Sequence, residues 1–354
     1  KDLAKPAVSF GGKYRLIDFT LSNLTNSQID VVGLVTQYEP YELMQYIARG
    51  ASWDLDMIDG GITFLTPYAK NGDVLWQKGT AHAISQYFNF VKEHHAQMVL
   101  ILSGDQIYKM DYQQLISEHQ KNGSDLTIAV TEVPPTETHR FGIFEIDEAG
   151  RVKSFEEKPK QAKSNLASMG IYLFNTEYLE KLLAGASSKQ SIDFGRHIIP
   201  KAIQTGGQVG VFRFLGYWRD VGTIESLFEA NMDFIEDPAF LGLNSSKHLP
   251  VYSKSLNLPP HIVLSDGEIK QSVIADGCVI NGRVVHSTVG YHVRIHTNAR
   301  IENCVILPYA VIGERVVLKN CIVNQKTIIP DDFVLTPDTL TIIDQAPDGG
   351  VLYE

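Results

Sequence analysis

Cysteine is scarce in this chain: Cys278, Cys304 and Cys321 are the only three among 354 residues. They show no C-x-x-C spacing and cannot all pair, which favours buried thiols in a reducing cytoplasm over a disulfide framework. No apolar run approaches the ~18 residues of a membrane-spanning helix, and no signal-peptide pattern is visible. Strongly basic stretches are missing too. Lys and Arg number 31 against 41 Asp and Glu, a formal net charge of -10, so a broad nucleic-acid surface is not expected. An acidic chain of this kind binds an anion only in a local pocket of Lys, Arg and backbone N–H groups. The rest is ordinary globular composition, 44% hydrophobic and 20% charged. At ~150 residues per domain the length suggests two domains.

Residues 1–238 alternate strand and helix patterns. The run 98–102 (MVLIL) is continuously apolar and stops at Ser103-Gly104-Asp105. A buried parallel strand reads this way, with a polar loop at its carboxyl end. The runs 31–36, 126–130 and 209–214 read similarly. Ala81, Ile84, Phe88 and Val91 fall at helical spacing, as do Tyr112, Leu115, Ile116 and His119 before Gly123. Segments 141–146 and 152–155 flank Asp147-Glu148-Ala149-Gly150 and read as a hairpin. A helix from Ile224 ends near Asp237-Pro238. Such alternation predicts an α/β domain with its ligand site at the carboxyl ends of the strands.

Residues 239–262 are irregular, contain Leu258-Pro259-Pro260, and read as a linker. The pattern then changes. Val273, Val279 and Val285 are six apart; the phase slips by four to Val289, Ile295 and Ile301, and again to Val305, Val311 and Val317. A coil of 16 residues, 6+6+4, around a triangular core fits, which is a parallel β-helix over residues 263–340. Asn281-Gly282, Gly290 and Gly313 suit its tight corners. Residues 341–354 read as a tail. Stacked coils leave open ends that need capping or partners.

Two acidic residues stand at strand ends. Asp105 lies in L-S-G-D-Q-I-Y, and Asp220 in G-Y-W-R-D-V-G-T. Two carboxylates converging from distant strands suit one Mg²⁺, which prefers a few carboxylates plus phosphate oxygens; a helix or turn cap is the competing role for each. Lys5 and Lys158 each precede proline, which biases a residue toward extended backbone and could aim the ammonium at a phosphate. A solvated lysine at a turn is the alternative. Gly79-Thr80-Ala81 opens a helix whose free N–H groups could hold a phosphate or a base edge, or Thr80 is an ordinary cap. The histidines form no convincing site. His94-His95 reads as a solvated helix end, and His292 and His296 fall in the β-helix, where that spacing does not put both rings on one face.

Taken in order, these segments resemble the bacterial ADP-glucose pyrophosphorylase (glucose-1-phosphate adenylyltransferase) family. The matching segments are A-K-P-A-V-S-F-G-G-K-Y-R-L-I-D-F (4–19), L-S-N (21–23), T-Q-Y (36–38), G-T-A (79–81), L-S-G-D-Q-I-Y-K-M-D-Y (102–112), R-F-G-I (140–143), F-E-E-K-P (155–159), A-S-M-G-I-Y (167–172), D-F-G (193–195) and Y-W-R-D-V-G-T (217–223). The resemblance implies an α/β nucleotidyltransferase domain, Rossmann-like with a mostly parallel sheet, followed by a left-handed parallel β-helix. It implies transfer of the adenylyl group of ATP to glucose 1-phosphate for glycogen synthesis, with Mg²⁺ as cofactor, in a homotetramer or a heterotetramer with a related subunit. Asp105 and Asp220 would hold the metal, and Lys5 would contact phosphate in the reacting cluster. Glu157, Lys158, Ser168, Tyr172, Asp193 and Trp218 would line the glucose-1-phosphate site, with Lys158 on its phosphate. Gly142 would lie beside the sugar nucleotide, Gly79 and Thr80 near the adenine, and Arg15 would match a basic effector-binding residue.

Departures from the family pattern are few. Its glycine-rich triphosphate loop would lie upstream of Lys1, so the chain reads as part of a longer protein. Gln77, carried over as a substrate contact, stands where many members have Tyr. Asp2 replaces a lysine that binds the sugar-phosphate activator in some members, so activation by fructose 1,6-bisphosphate is expected to be weak. Three rivals remain open. A non-catalytic regulatory subunit is disfavoured by intact Lys5, Asp105, Lys158 and Asp220. A β-helix acyltransferase would use His286, His292 or His296 and leaves the first domain unexplained. A pyrophosphorylase for another nucleotide is the third, since adenine rests on the resemblance alone.

Overall fold

The structure, a computed structural model, describes residues 5–36, 40–67, 69–70, 73–74, 79–147, 150–184, 191–237, 249–345 and 350–353. In the first domain β1 (Val31–Val35) pairs in parallel with β2 (Gly61–Leu65). The central sheet is built from β3 (Met98–Ile101), β5 (Leu126–Glu132), β6 (Gly142–Ile146), β7 (Val152–Glu157), β8 (Leu166–Asn175) and β9 (Val209–Arg213). A separate ladder joins β4 (Gln106–Tyr108) to β10 (Trp218–Asp220).

The α/β reading holds, and four sheet strands, β3, β5, β6 and β9, run in a common direction. Their pairing is more mixed than a mostly parallel sheet. β8 runs the other way, with β5 along one edge and β6 and then β3 along the other, so within this sheet only β5 and β9 pair in parallel. A continuous apolar run reports that both faces of a strand are covered and says nothing about its neighbour's direction. β5 shows this: Leu126, Ile128 and Val130 pack under Leu179, Leu182, Ile199 and Ala202. Ala129 faces the other layer, with Leu21, Leu43, Trp53 and Leu115.

Helices fall where the apolar spacing placed them, with one break. The pattern 81–91 divides into α3 (Thr80–Gln86) and α4 (Phe88–Glu93) at Tyr87. α1 (Leu16–Asn26) and α2 (Pro40–Ile47) precede them. α5 (Tyr112–Lys121) is capped by Asp111, whose carboxylate accepts from the Gln113 N–H at 2.9 Å. α8 (Ile224–Glu236) follows α6 (Thr176–Leu183) and α7 (Ile199–Gln204). One side of α8 packs on Phe10, Leu16 and Phe19, while Met232 and Ile235 pack on Val305 and Ile322 of the second domain. Asn231 sits in that seam. Its Oδ1 accepts from the Gly11 N–H at 3.0 Å and from the Thr288 hydroxyl at 3.1 Å.

Residues 249–261 form no regular element, but they are strapped to the first domain. The Tyr252 carbonyl accepts from Trp53 Nε1 at 3.2 Å, and the Tyr46 hydroxyl is 3.2 Å from that of Ser253.

The second domain is a three-faced parallel β-helix. Its coil length is corrected from 16 residues. Paired strands are 17 residues apart at the first pair, Ile262 with Val279, then 15 around the next turn, as Glu268 with Arg283, then 17, as Arg283 with Arg300, and 20 at the last, Cys321 with Thr341. Most strands are two-residue pairs such as Val311-Ile312, with the second residue buried. Val273, Val279 and Val285 belong to the outer set and Val289, Ile295 and Ile301 to the inner one, so following them in sequence crosses faces and creates the apparent slip of four. The inner column Ile280, Ile295, Ile312 and Ile329 is continuous.

The corners are also corrected. Left-handed backbone is carried by side-chain residues in columns: His292, Tyr309 and Lys326 in one, His286, Asn303 and Asn320 in another. The strain is offset by ladders: Asn303 Nδ2 donates to Asn320 Oδ1 at 2.7 Å, and the His292 and Tyr309 rings stack at 5.5 Å. Gly282 and Gly290 instead permit close approach between coils, since a Cβ at Gly282 would lie 2.6 Å from the Ala299 carbonyl oxygen. Nor is 341–354 wholly a tail. Thr341–Gln345 pairs with Cys321–Val323 and then with Val351–Tyr353, extending the third face. The three cysteines are free and buried.

Candidate active site

β3 ends two residues before Ser103, and the chain then turns through Gly104 into Asp105. The Ser103 hydroxyl donates to Asp105 Oδ1 at 2.5 Å and holds the carboxylate. Asp220 pairs across the β4–β10 ladder with Gln106, and the Val221 N–H donates to the Asp105 carbonyl at 3.2 Å. Two aspartates 115 positions apart in sequence are thus brought together, Asp220 on β10 and Asp105 immediately before β4. Burial, and then the charge of Asp105, push the Asp220 carboxyl above its usual range; Arg140, Lys5 and Lys158 oppose that rise. Asp105, Arg140, Lys5 and Lys158 therefore all act on Asp220 as one electrostatic group.

The lysines reach it by unexpected backbone. Lys5 opens a 3₁₀ turn, Lys5–Ala7. Lys158 has φ 50° and donates its N–H to the Phe141 carbonyl at 3.0 Å. Neither is extended; tertiary hydrogen bonding overrides the pre-proline bias.

Glu157 connects this group to a second one. Burial raises its carboxyl, Lys158 and Arg196 oppose the rise, and Asp193 adds to it. Its carboxylate fits because two neighbours lack a Cβ, which would come within 2.9 Å of Oε2 from Gly142 and 2.4 Å from Gly195. Gly142 thus makes room for Glu157 and for the Phe155 ring. Tyr172 stacks on Phe194 at 5.4 Å, and burial pushes its hydroxyl up to about 12 against an opposing hydrogen bond from Ser168. The Ser168 hydroxyl accepts from the Gly170 N–H at 3.2 Å, inside a register shift of β8. Trp218 Nε1 donates to Gln106 Oε1 at 3.2 Å, and its ring meets Phe141 edge-on at 5.3 Å.

The expectation of free N–H groups at α3 is overturned. The Thr80 N–H donates to Asp193 Oδ1 at 3.1 Å, and the Ala81 and His82 N–H groups donate to the Ile192 carbonyl at 2.9 and 3.0 Å. The Thr80 hydroxyl accepts from the Phe194 N–H at 3.2 Å. Gly79 has φ 100°, and a Cβ there would meet the Ile192 carbonyl oxygen at 2.6 Å. Thr80 does not cap the helix by its hydroxyl either; the residue that caps it is Asp193, from a distant segment.

Arg15 lies outside this cleft. Its guanidinium sits over the Tyr46 ring at 4.1 Å, beside buried Asp18, whose two oxygens each accept from the Tyr46 hydroxyl at 2.9 Å. Tyr291 of the β-helix faces the same group. Gln77 and Asp2 lie outside the described residues. His286 and His292 serve the solenoid corners: His286 Nδ1 is 3.1 Å from Asn303 Oδ1. Sequence reasoning missed Ser103, Gln106, Arg140 and Arg196 as members of the site. Three of these stand inside the segments L-S-G-D-Q and R-F-G-I, so their motif was visible while their contacts were not.

The donor set at Asp105 and Asp220 suits Mg²⁺. Burial raises the Asp220 carboxyl and the Asp105 charge adds to that rise; a hard cation relieves both while leaving positions for phosphate oxygens. Among the described residues no group of three or more His, Cys, Asp or Glu is gathered for a metal. Cations flanking a carboxylate pair at strand ends, behind a second polar group that can grip a sugar, suit transfer between phosphates.

Residues 1–237 match the nucleotidyl transferase family, and residues 261–341 match the GlmU-like, C-terminal hexapeptide family. The chain is therefore a nucleotidyltransferase joined to a left-handed hexapeptide β-helix. Among curated proteins it is 45% identical to glucose-1-phosphate adenylyltransferases of Bacillus cereus, over 340 residues, and of Bacillus mycoides and Bacillus anthracis, over 342; each alignment covers 96% of this chain and 90% of the relative. This chain belongs to the glucose-1-phosphate adenylyltransferase family. No helix among the described residues is long and apolar enough to cross a membrane.

Proposed function

We propose that this chain transfers the adenylyl group of ATP to α-D-glucose 1-phosphate, giving ADP-glucose and pyrophosphate for glycogen synthesis. The observation that carries the reading is the convergence of Lys5, Lys158 and Arg140 on the Asp105–Asp220 pair, in a chain of this family. A phosphate oxygen of glucose 1-phosphate forms a bond to the α-phosphorus of ATP, and the bond from that phosphorus to the bridging oxygen breaks. The nucleophile needs no general base, because a phosphate monoester with a second pKa of ~6 is mostly dianionic at pH 7. Catalysis is then positioning and charge neutralisation. Asp105 and Asp220 would hold Mg²⁺, which would supply positive charge to offset that of the phosphates. Lys5 neutralises phosphate charge at the same place. Lys158 holds the phosphate of glucose 1-phosphate, and Glu157, Ser168, Tyr172 and Trp218 line its sugar. Asp193 acts through its cap on α3, which sets Gly79 and Thr80 where a base can lie.

The solenoid carries exposed Ile328 and Val334, and we propose that it assembles subunits into a homotetramer or a heterotetramer. The three buried, unpaired thiols suit a reducing cytoplasm. Pyrophosphate release, measured on the full-length protein with glucose 1-phosphate and each of ATP, UTP, GTP and dTTP, tests the reading. ATP should be preferred by at least tenfold in kcat/KM; equal or greater turnover with another nucleotide would overturn it.

A further inference from the structure

Arg140 is placed in the site by geometry, yet neither the family motif residues nor the strand-end logic assigns it a role. It ends the 3₁₀ turn Pro135–Arg140 that feeds β6. Its guanidinium lies 5.3 Å from the Phe141 ring, and that ring meets Trp218, two residues before Asp220. The Phe141 carbonyl accepts the Lys158 N–H at 3.0 Å. Arg140 and Lys158 therefore leave the same end of the β6–β7 ladder, where Gly142 pairs with Glu157. The side chain is 26% exposed, so it is only partly surrounded by protein.

Among the described residues its guanidinium makes one side-chain hydrogen bond. A guanidinium has five N–H donors in a planar fork. Nη1 donates to Glu137 Oε2 at 3.2 Å, one turn earlier on the same 3₁₀ segment. A fork with most of its donors unpaired among the described residues matches the geometry of two phosphoryl oxygens better than a lysine does. Glu137 is well placed to hold that fork, at the cost of competing with any anion that enters.

We propose that Arg140 is a substrate-binding residue that grips the phosphoryl oxygens of glucose 1-phosphate together with Lys158, and that Glu137 is its positioning residue, holding the guanidinium until that phosphate arrives. The proposal rests on the adenylyltransferase reading for the identity of the sugar phosphate, and on the shared ladder end for the partnership with Lys158.

Steady-state kinetics of full-length Arg140→Gln, Arg140→Lys and Glu137→Gln separate this role from a structural one. Loss of a charge-assisted contact should raise the KM for glucose 1-phosphate ~10–100-fold in Arg140→Gln, with the KM for ATP within about threefold of wild type. Arg140→Lys should recover part of the loss. Glu137→Gln frees the fork and should lower the KM for glucose 1-phosphate. A purely structural ion pair predicts the contrary: Arg140→Gln and Glu137→Gln break the same contact and should move both KM values in the same direction. That result, or an unchanged KM in Arg140→Gln, would overturn the proposal. Thermal melts of each variant identify any that fail to fold, and Arg140→Lys keeps the comparison possible if Arg140→Gln is one of them. The series uses whichever nucleotide the wild type accepts, so a wrong base sinks the adenylyl reading without touching the role of Arg140.

Discussion

The Val221 N–H donates to the carbonyl of Asp105 at 3.2 Å, so the segments carrying Asp105 and Asp220 are joined beside the two aspartates. The ladder continues through Asp220 with Gln106 and Trp218 with Tyr108. Since Trp218 also bonds Gln106 through its indole N–H, the spacing of the pair is set by backbone and by a side-chain brace. A pair braced in this way suits chemistry that depends on positioning, as phosphoryl transfer does.

Asp105→Asn should lower kcat by ~10²–10⁴, the scale on which electrostatic support of a transition state is lost. The amide can still accept from the Ser103 hydroxyl, so the fold should be retained. Near-normal kcat at saturating Mg²⁺, with an unchanged melting profile, would remove Asp105 from the metal site.

Lys158→Gln should act on one substrate. If Lys158 holds the phosphate of glucose 1-phosphate in both ground and transition states, its loss raises that KM strongly and leaves the KM for ATP nearly unchanged. Equal effects on both would contradict the role.

Asp193 is predicted to matter through α3. Asp193→Ala removes the acceptor of the Thr80 N–H and should cost ~1 kcal/mol, visible as a lowered melting temperature. Asp193→Asn keeps an acceptor oxygen at the same place and should restore most of the stability and activity. If the asparagine variant is as inactive as the alanine one, the carboxylate charge itself contacts substrate.

Asp18 gives a pH signature. Burial raises its carboxyl to about 7, against ~3.9 in an unfolded chain. The folded state therefore favours the protonated form, and this contribution to stability is complete below pH ~4 and lost as pH rises through about 7. Asp18→Asn imitates the protonated acid, since the Tyr46 hydroxyl can accept from the amide and donate to Ser253. Calorimetric melts should show the variant gaining on wild type, by on the order of a few kcal/mol, between pH 4 and 8. Parallel profiles across that range would mean that Asp18 is ionised throughout.

How far the site was legible differs by residue. Asp105 and Asp220 could be read because an apolar strand ending in a carboxylate is a local pattern, and the order of motifs supplied the partner. Arg140 stood inside R-F-G-I, but one arginine after a polar turn looks like any solvated cation until Trp218 and Lys158 are folded against its neighbour. The start of α3 was misread for a similar reason. Its N–H groups are open as far as the local sequence reveals, and the residues that take them, Ile192 and Asp193, lie more than 100 positions away.

The amino-acid sequence by itself determined the alternation of strands and helices, the hairpin at 141–155, the change to a solenoid, and the family. Each depends on backbone periodicity or on motif order, which neighbouring residues encode. Only the tertiary structure decided which residue of each Val-Ile pair faces the solenoid core, and hence coils of 15 and 17. It also decided that β8 runs antiparallel between β3 and β5, that Lys158 takes left-handed backbone, and that Asn231 ties α8 to both Gly11 and Thr288. These are choices among locally equivalent conformations. They are settled by which buried polar groups find partners and which apolar faces meet, and those free energies exist only once distant segments have packed together.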